Sequence, residues 1–222
     1  MADFEPDDRV RRLRRLDACA LSDALDRLGL AGQVAGLAQR SGDGRIAGRV
    51  VTLKVGPGQV ADGPPRHLGC AAIERSGPDD VIVVEQTSGI DAGCWGGLLS
   101  LGAKVRGIAG VVADGPLRDV DEAVAYKLPV FSRSLTARTA RGRVVELGTQ
   151  VALRIGDVAV SPGDYVFADR SAVIFVTAAT IDAVLAAAET IAAREAAMAR
   201  AILAGTPIGQ VMNGNYENML KG

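Results

Sequence analysis

Apolar positions along this 222-residue chain fall into two textures. Up to about residue 127, short apolar runs alternate with stretches of helical spacing. Residues 21–25 (LSDAL) open a helix that runs towards Gly29, with Ser22 or an earlier residue as its cap. Residues 44–56 (GRIAGRVVTLKVG) alternate as a long strand with a kink expected at Gly48, and residues 56–65 read as loop. Residues 67–76 are expected to be helical, 81–85 a buried strand, 87–93 a loop and 95–105 a helix. Residues 108–113 form a second buried strand, which Asp114-Gly115-Pro116 is expected to stop. The following VDEAVAYKL again has helical spacing.

Beyond residue 127 the runs shorten, and Gly and Pro turns separate them. Strands are predicted at 129–131, 143–147, 151–155, 158–160, 165–168 and 172–176, and residues 180–204 form a long Ala-rich helix with Glu and Arg outside. The basic cluster at 9–15 is broken by Val10 and Leu13, so it reads as one face of an amphipathic opening segment spanning 1–16. No repeat or low-complexity linker appears. Alternating helices and strands followed by a β-rich half predict an α/β fold in a single domain over 1–222, with a mixed sheet or two stacked sheets.

Composition narrows the function. Hydrophobic residues make up 48% of the chain, enough for a substantial core. Net charge is −1, with 21 Arg against 4 Lys, which argues against generic nucleic-acid binding. Cys19, Cys70 and Cys94 are widely spaced, with no CxxC, so neither a zinc knuckle nor a disulfide framework is supported. The acidic start MADFEPDD is unlike a signal peptide, and no apolar stretch reaches membrane-spanning length. A cytoplasmic protein without a membrane partner is expected.

Two strand-to-helix junctions carry candidate chemistry. The first, Gly93-Cys94-Trp95-Gly96-Gly97-Leu98-Leu99, leaves backbone N–H groups open at a helix start, a ready site for a carboxylate or phosphate. Its glycines also suit simple close packing. The second delivers Arg118 and Asp119 side by side at the exit of a buried strand, the usual ligand position in open α/β sheets. Arg118 suits a bidentate carboxylate and Asp119 a hydrated Mg2+ or Mn2+ ion, though a surface arginine and a helix-start aspartate would look the same. If the two strands are neighbours, both junctions face one crevice. Other chemistries are poorly supplied. His67 is the only histidine and is expected to be structural or solvent-facing. No GxSxG occurs. None of Lys54, Lys104, Lys127 and Lys221 sits in an obvious apolar pocket, and Cys94 is expected to pack.

The blocks LSDALDRLG (21–29), RIAGRVVTLKV (45–55), CWGGLLSLGAKVRGIAGVVADGPLRDVDE (94–122), LPVFSRSLT (128–136) and SPGDYVFADRSAVIFV (161–176) resemble one family over almost the whole chain. It holds the RraA-type regulators of ribonuclease E and the class II 4-hydroxy-4-methyl-2-oxoglutarate aldolases. The resemblance implies a swivelling β/β/α-type fold assembled as a homotrimer or homohexamer, with the C-terminal helix and tail, 178–222, at subunit contacts. It implies that pyruvate lies against the backbone of Gly96, Gly97, Leu98 and Leu99, that Arg118 holds substrate oxygens, and that Asp119 ligates Mg2+ or Mn2+. A late acidic residue of a neighbouring subunit joins the metal's waters, with Glu195 the nearest candidate. The implied activity is a divalent-metal-dependent aldolase releasing pyruvate from a 4-hydroxy-2-oxo dicarboxylate, with oxaloacetate decarboxylation alongside. In one respect the chain departs from the aldolases. They carry an acidic residue twenty-one positions before the arginine, where this chain has Gly97. The arrangement Gly97, Arg118-Asp119, Glu122 is more typical of regulator-like members, which keeps open a non-catalytic regulator binding ribonuclease E or another protein. Asp91 is the candidate to replace the missing carboxylate.

Overall fold

The computed structural model describes residues 6–59 and 67–212. Part of the expected 56–65 loop, Lys221 and the tail from 213 onwards therefore lie outside the described residues.

In chain order the elements are α1 (Asp8–Leu13), α2 (Ala18–Leu28), β1 (Gln33–Val34), β2 (Ala38–Ser41), β3 (Ile46–Gly56), α3 (Cys70–Arg75) and β4 (Asp80–Glu85). Then come α4 (Gly97–Val105), β5 (Gly110–Leu117), α5 (Val120–Ala125), β6 (Val130–Leu135) and β7 (Val145–Thr149). The chain continues through β8 (Leu153–Ile155), β9 (Val158–Val160), β10 (Tyr165–Ala168), β11 (Val173–Val176), α6 (Ile181–Leu203) and α7 (Ile208–Val211).

Nine strands form one mixed sheet in the order β1-β11-β10-β3-β4-β5-β6-β2, with β7 also paired to β3. β3, β4, β5 and β6 run parallel, while the remaining partners are antiparallel. β8 and β9 make a separate hairpin. The long β3 gives one edge to β4 and shares the other between β10 at its start and β7 at its end. β4 is buried at every position but its first, the pattern of a parallel strand covered on both faces. On one face Leu53, Ile82, Val84 and Ala113 pack under Trp95 and Leu99 of the α4 region. On the other, Val83, Val112 and Phe131 meet Leu153 and Ile155 of the β8–β9 hairpin.

A third cluster seats α1, α2 and α6 on Phe167, Ile174 and Val176 of the β10–β11 end. Six residues are too few for α1 to persist alone. Its hold comes from burial of Val10 and Leu13, about 1.5–3 kcal/mol each, and from ion pairs. Arg9 meets Asp182 at 2.7 Å, Arg12 meets Glu189 at 2.7 Å and Arg14 meets Asp79 at 2.8 Å. The basic opening cluster is thus largely neutralised within the chain. Among the described residues, no helix is long and apolar enough to cross a membrane.

Four expectations need correction. α2 begins at Ala18 rather than Leu21: its cap is indeed an earlier residue than Ser22, Asp17, which accepts from Ala20 N–H at 2.9 Å and leaves Ser22 inside the helix. α3 begins only at Cys70, since Gly69 has φ +83°, which a right-handed helix does not admit. Asp114-Gly115-Pro116 does not stop β5. The strand runs on to Leu117, with a register shift between Ala113 and Pro116 absorbing the proline, and Cys94 N–H donates to Pro116 O at 2.9 Å. Finally, β1 and β2 had no counterpart in the sequence reading. They are short edge strands with little apolar signal.

Candidate functional site

Because β4 and β5 are adjacent and parallel, the loops leaving their C-terminal ends emerge side by side. The loop after β4 is fixed from within. Buried Gln86 donates from Nε2 to Ile90 O and Ala92 O, each at 3.0 Å, and accepts from Ser88 through Oε1. Trp95 Nε1 donates to Ser100 Oγ at 3.1 Å, and Ser100 Oγ donates to Gly96 O, which sets the first turn of α4. Leu98 and Leu99 follow in that turn, where backbone N–H groups have no intrahelical acceptor and the helix dipole favours an anion.

Across from this turn, β5 ends in Arg118 and Asp119. Arg118 N–H donates to Trp95 O at 3.0 Å, tying the two junctions together. Asp119 stands at φ 54°, ψ 45°, a left-handed conformation sparsely used by residues other than glycine. That backbone turns its carboxylate towards α4. Oδ2 accepts from Gly97 N–H and from Arg118 Nε, both at 3.1 Å, and Oδ1 has no hydrogen-bond partner among the described residues.

The glycines have a local reason. A Cβ on Gly93 would lie 2.9 Å from Arg118 Cγ and Cδ, and one on Gly96 would lie 2.9 Å from Asp119 Oδ2. A Cβ on Gly97 would collide with Glu122 Oε2. Their close neighbours are therefore Arg118, Asp119 and Glu122 rather than the sheet. Glu122, one turn along α5 from Asp119, brings a second carboxylate to Gly97, and this carboxylate has no hydrogen bond or ion pair among the described residues.

Gly96, Gly97, Leu98 and Leu99, with Arg118 and Asp119, line one cavity of about 190 Å3. This is smaller than the roughly 300–1,000 Å3 of a site for drug-sized ligands, so it suits a small acid and not a nucleotide. A wider hollow of about 620 Å3 beside β2 is lined by Arg40, Asp43, Lys127 and Arg170 and includes neither of the two strand-to-helix junctions.

Not every predicted residue joins the site. Asp91 does not line this cavity: it pairs with Arg138 at 3.1 Å and lines a different hollow, with Gln86, Asp114 and Arg133. Glu195 lies on α6, where burial and then the charges of Asp17 and Asp23 push its carboxyl upward, and it does not line the cavity of its own chain. Burial holds the Cys94 thiol up at about 12, and Sγ sits 3.3 Å from Pro116 O, so this cysteine packs as expected. Lys54, Lys104 and Lys127 do not line the cavity.

Two further residues do, His67 and Arg141, while Glu122 stands beside the cavity against Gly97. Glu122 was visible in the sequence only as a spacing. His67 is exposed, but it also lines the cavity. Its Nδ1 lies 2.8 Å from Leu68 O, a carbonyl that can only accept, so Nδ1 carries the hydrogen of that contact. Arg141 lines the cavity from the loop after β6, in a stretch with no motif to mark it. No group of three or more His, Cys, Asp and Glu side chains among the described residues is placed to hold a metal by itself.

Known proteins are similar to this chain in sequence and in fold. "Protein DlpA" of Legionella pneumophila is 28% identical over 201 residues, 90% of this chain, and this chain spans only 32% of that protein's length. A Halalkalibacterium halodurans protein named "Putative 4-hydroxy-4-methyl-2-oxoglutarate aldolase" is 30% identical over 196 residues, covering 88% of this chain and 89% of that one. The solved structure of Streptomyces coelicolor RraAS2, an unusual member of the RNase ES inhibitor RraA protein family, superposes with a TM-score of 0.74 at 26% identity, covering 86% of this chain and 96% of its own. The RraA-like family model, Aldolase/RraA, matches residues 18–175, a span that holds the whole curled sheet from β1 to β11 and both junctions of the cavity, and the chain belongs to that family.

Proposed function

We propose that this protein is a divalent-metal-dependent lyase that releases pyruvate from a 4-hydroxy-2-oxo dicarboxylate such as 4-hydroxy-4-methyl-2-oxoglutarate, and decarboxylates oxaloacetate at the same site. The observation that carries the reading is the meeting of Arg118 and Asp119 with the open first turn of α4 around one small cavity. The name of the Halalkalibacterium relative supports it.

The acidic groups fit a hard cation. Mg2+ keeps several waters and needs only one or two protein carboxylates. Asp119 offers an unengaged Oδ1, and Glu122 offers a carboxylate without a protein partner beside it. Asp119 would ligate the ion and Glu122 would hold its waters. A Mg2+ or Mn2+ ion bound there supplies a Lewis acid for the 2-oxo group. Glu122 thereby takes the part that an acidic residue at position 97 takes in the aldolases.

The chain's own residues supply the rest. Arg118 grips the carboxylate and 2-oxo oxygens through a guanidinium already fixed by Asp119. As the 4-hydroxyl gives up its proton to water, its oxygen forms the new C4 carbonyl, the C3–C4 bond breaks with its electron pair moving towards the 2-oxo oxygen as an enolate, and C3 then takes a proton from water to give pyruvate. Arg118 and the N–H groups of Leu98 and Leu99 stand in place before that charge develops, which is how preorganised donors lower a barrier. Loss of CO2 from oxaloacetate develops the same charge. A homotrimer or homohexamer belongs to this reading: Leu98 and Val105, 81% and 78% exposed on one side of α4, are apolar surface that a second copy would cover.

A coupled assay for pyruvate release from both substrates, with and without Mg2+ or Mn2+, tests the proposal. Metal-dependent turnover that Asp119→Ala abolishes supports it, and background rates on both substrates sink the substrate assignment. Gly97 and the likeness to RraAS2 favour a second reading, a regulator that binds ribonuclease E. Retention on immobilised ribonuclease E without any pyruvate release would favour that alternative.

A further inference from the structure

The cavity holds more positive charge than one carboxylate requires. The loop after β6 is fastened over it, with Gly93 N–H donating to Arg138 O and Thr136 N–H donating to Leu117 O, both at 2.9 Å. Three arginines stand on that loop. Arg138 is paired with Asp91 at 3.1 Å, and Arg143 donates through its guanidinium to Thr139 O at 3.3 Å. The guanidinium of Arg141 has neither a hydrogen bond nor an ion pair among the described residues, and only its backbone N–H is used, by Thr139 Oγ1 at 3.3 Å. Arg141 is also the one of the three that lines the cavity with Arg118 and Asp119.

The other groups in the cavity are less suited to a second anion. Arg118 is partly neutralised by Asp119 at 3.1 Å. His67 already directs its Nδ1 hydrogen to Leu68 O at 2.8 Å. That leaves Arg141, whose planar fork matches a carboxylate in two hydrogen bonds.

We propose that Arg141 is a second anion subsite of the cavity, taking the distal carboxylate of a 2-oxo dicarboxylate while Arg118 and the α4 turn hold its 2-oxo acid end. The inference rests on the keto-acid reading above and adds to it a selectivity: dicarboxylates are preferred over monocarboxylates with the same 2-oxo acid head. Arg141 is exposed, so replacing it leaves the fold intact.

Calorimetric titration of the Mn2+-loaded protein with pyruvate and with 2-oxoglutarate tests this, because the second ligand adds a distal carboxylate and lacks the hydroxyl needed for cleavage. The wild type is expected to bind 2-oxoglutarate at least about 10-fold more tightly than pyruvate. Arg141→Gln should weaken 2-oxoglutarate by about 10- to 100-fold, the usual cost of deleting a hydrogen bond to a charged group, and leave pyruvate within about twofold. Arg141→Lys should recover part of the preference. Pyruvate binding with no dicarboxylate preference, or an equal loss of both ligands in Arg141→Gln, overturns the subsite and leaves the keto-acid reading standing. Binding of neither ligand by the wild type overturns both.

Discussion

Gly97→Ala separates the role of Gly97 in folding from its role in chemistry. Gly97 opens α4 outside the positive-φ region, so alanine meets no backbone strain there and gains up to about 0.5–1 kcal/mol in helix formation. Opposing this, the new methyl collides with Glu122 Oε2 and lies 3.2 Å from Asp119 Cβ. Glu122 is exposed and its carboxylate is the free end of a flexible side chain, so it can swing aside for about 0.5–1.5 kcal/mol. The two effects nearly cancel. Melting temperature should move by no more than about 2–4 °C, the shift that 1 kcal/mol gives in a chain of this length. Function should not be spared, because moving a carboxylate that orients a metal's waters typically costs 10- to 100-fold in metal affinity or activity. The assay is a thermal melt beside a Mn2+ titration of pyruvate release, run on Gly97→Ala and on Gly97→Ala/Glu122→Ala. The double variant, freed of the collision, should melt at or above the single one. Wild-type activity in Gly97→Ala would refute the role given to Glu122. A drop well beyond 4 °C in both variants would refute the mechanics, since it would mean that backbone rather than Glu122 closes on Gly97.

Two further outcomes follow from the packing. Hydrogen bonds from Arg12 hold the Glu189 carboxyl below its ordinary value of 4.5, so the pair stabilises the fold fully above that pH and loses its effect as pH falls through the depressed value. Glu189→Gln should therefore cost up to about 1 kcal/mol at pH 7, the ceiling for a partly exposed pair, with the melting gap to wild type closing below pH 4.5. Burial pushes the Cys94 thiol up to about 12, so in native protein at pH 8 iodoacetamide should label exposed Cys19 and spare Cys94 until denaturant is added; labelling of both at one rate would contradict the buried packing.

What the sequence showed and what it hid have physical causes. Apolar periodicity located β4, β10 and α6 to within a residue, since each is long or almost wholly buried and its pattern has one reading. Ser22 and an earlier residue both fit the α2 cap by composition; Asp17 has the geometry, and capping chemistry alone cannot choose between two oxygen-bearing side chains five residues apart. Asp-Gly-Pro is a stop signal in isolation. Pairing with β6 overrides it, because the register shift lets Pro116 sit in the strand without needing an N–H partner. At the site, Arg118, Asp119 and the Gly96–Gly97 turn were legible because they sit at element ends. His67 and Arg141 were not, because their place at the cavity depends on the approach of the residues just before α3 and of the loop after β6, which no local pattern encodes.

Glu122 gives the departure at Gly97 a different meaning. A side chain at position 97 and the Glu122 carboxylate compete for the same space, so an acid placed on α4 displaces the Glu122 carboxylate from the position it holds beside Gly97. An acid placed at 97 with Glu122 retained would force two negative groups into contact in a small cavity that already contains Asp119, and they would repel. Gly97→Asp alone should then lower metal-dependent turnover. Gly97→Asp combined with Glu122→Ala should recover a larger share of it, because the acid would arrive from α4 with the space beside it vacated. Equal activity in the two variants would mean that Glu122 and position 97 do not share one role, and the Gly97 departure would again count as a lost carboxylate.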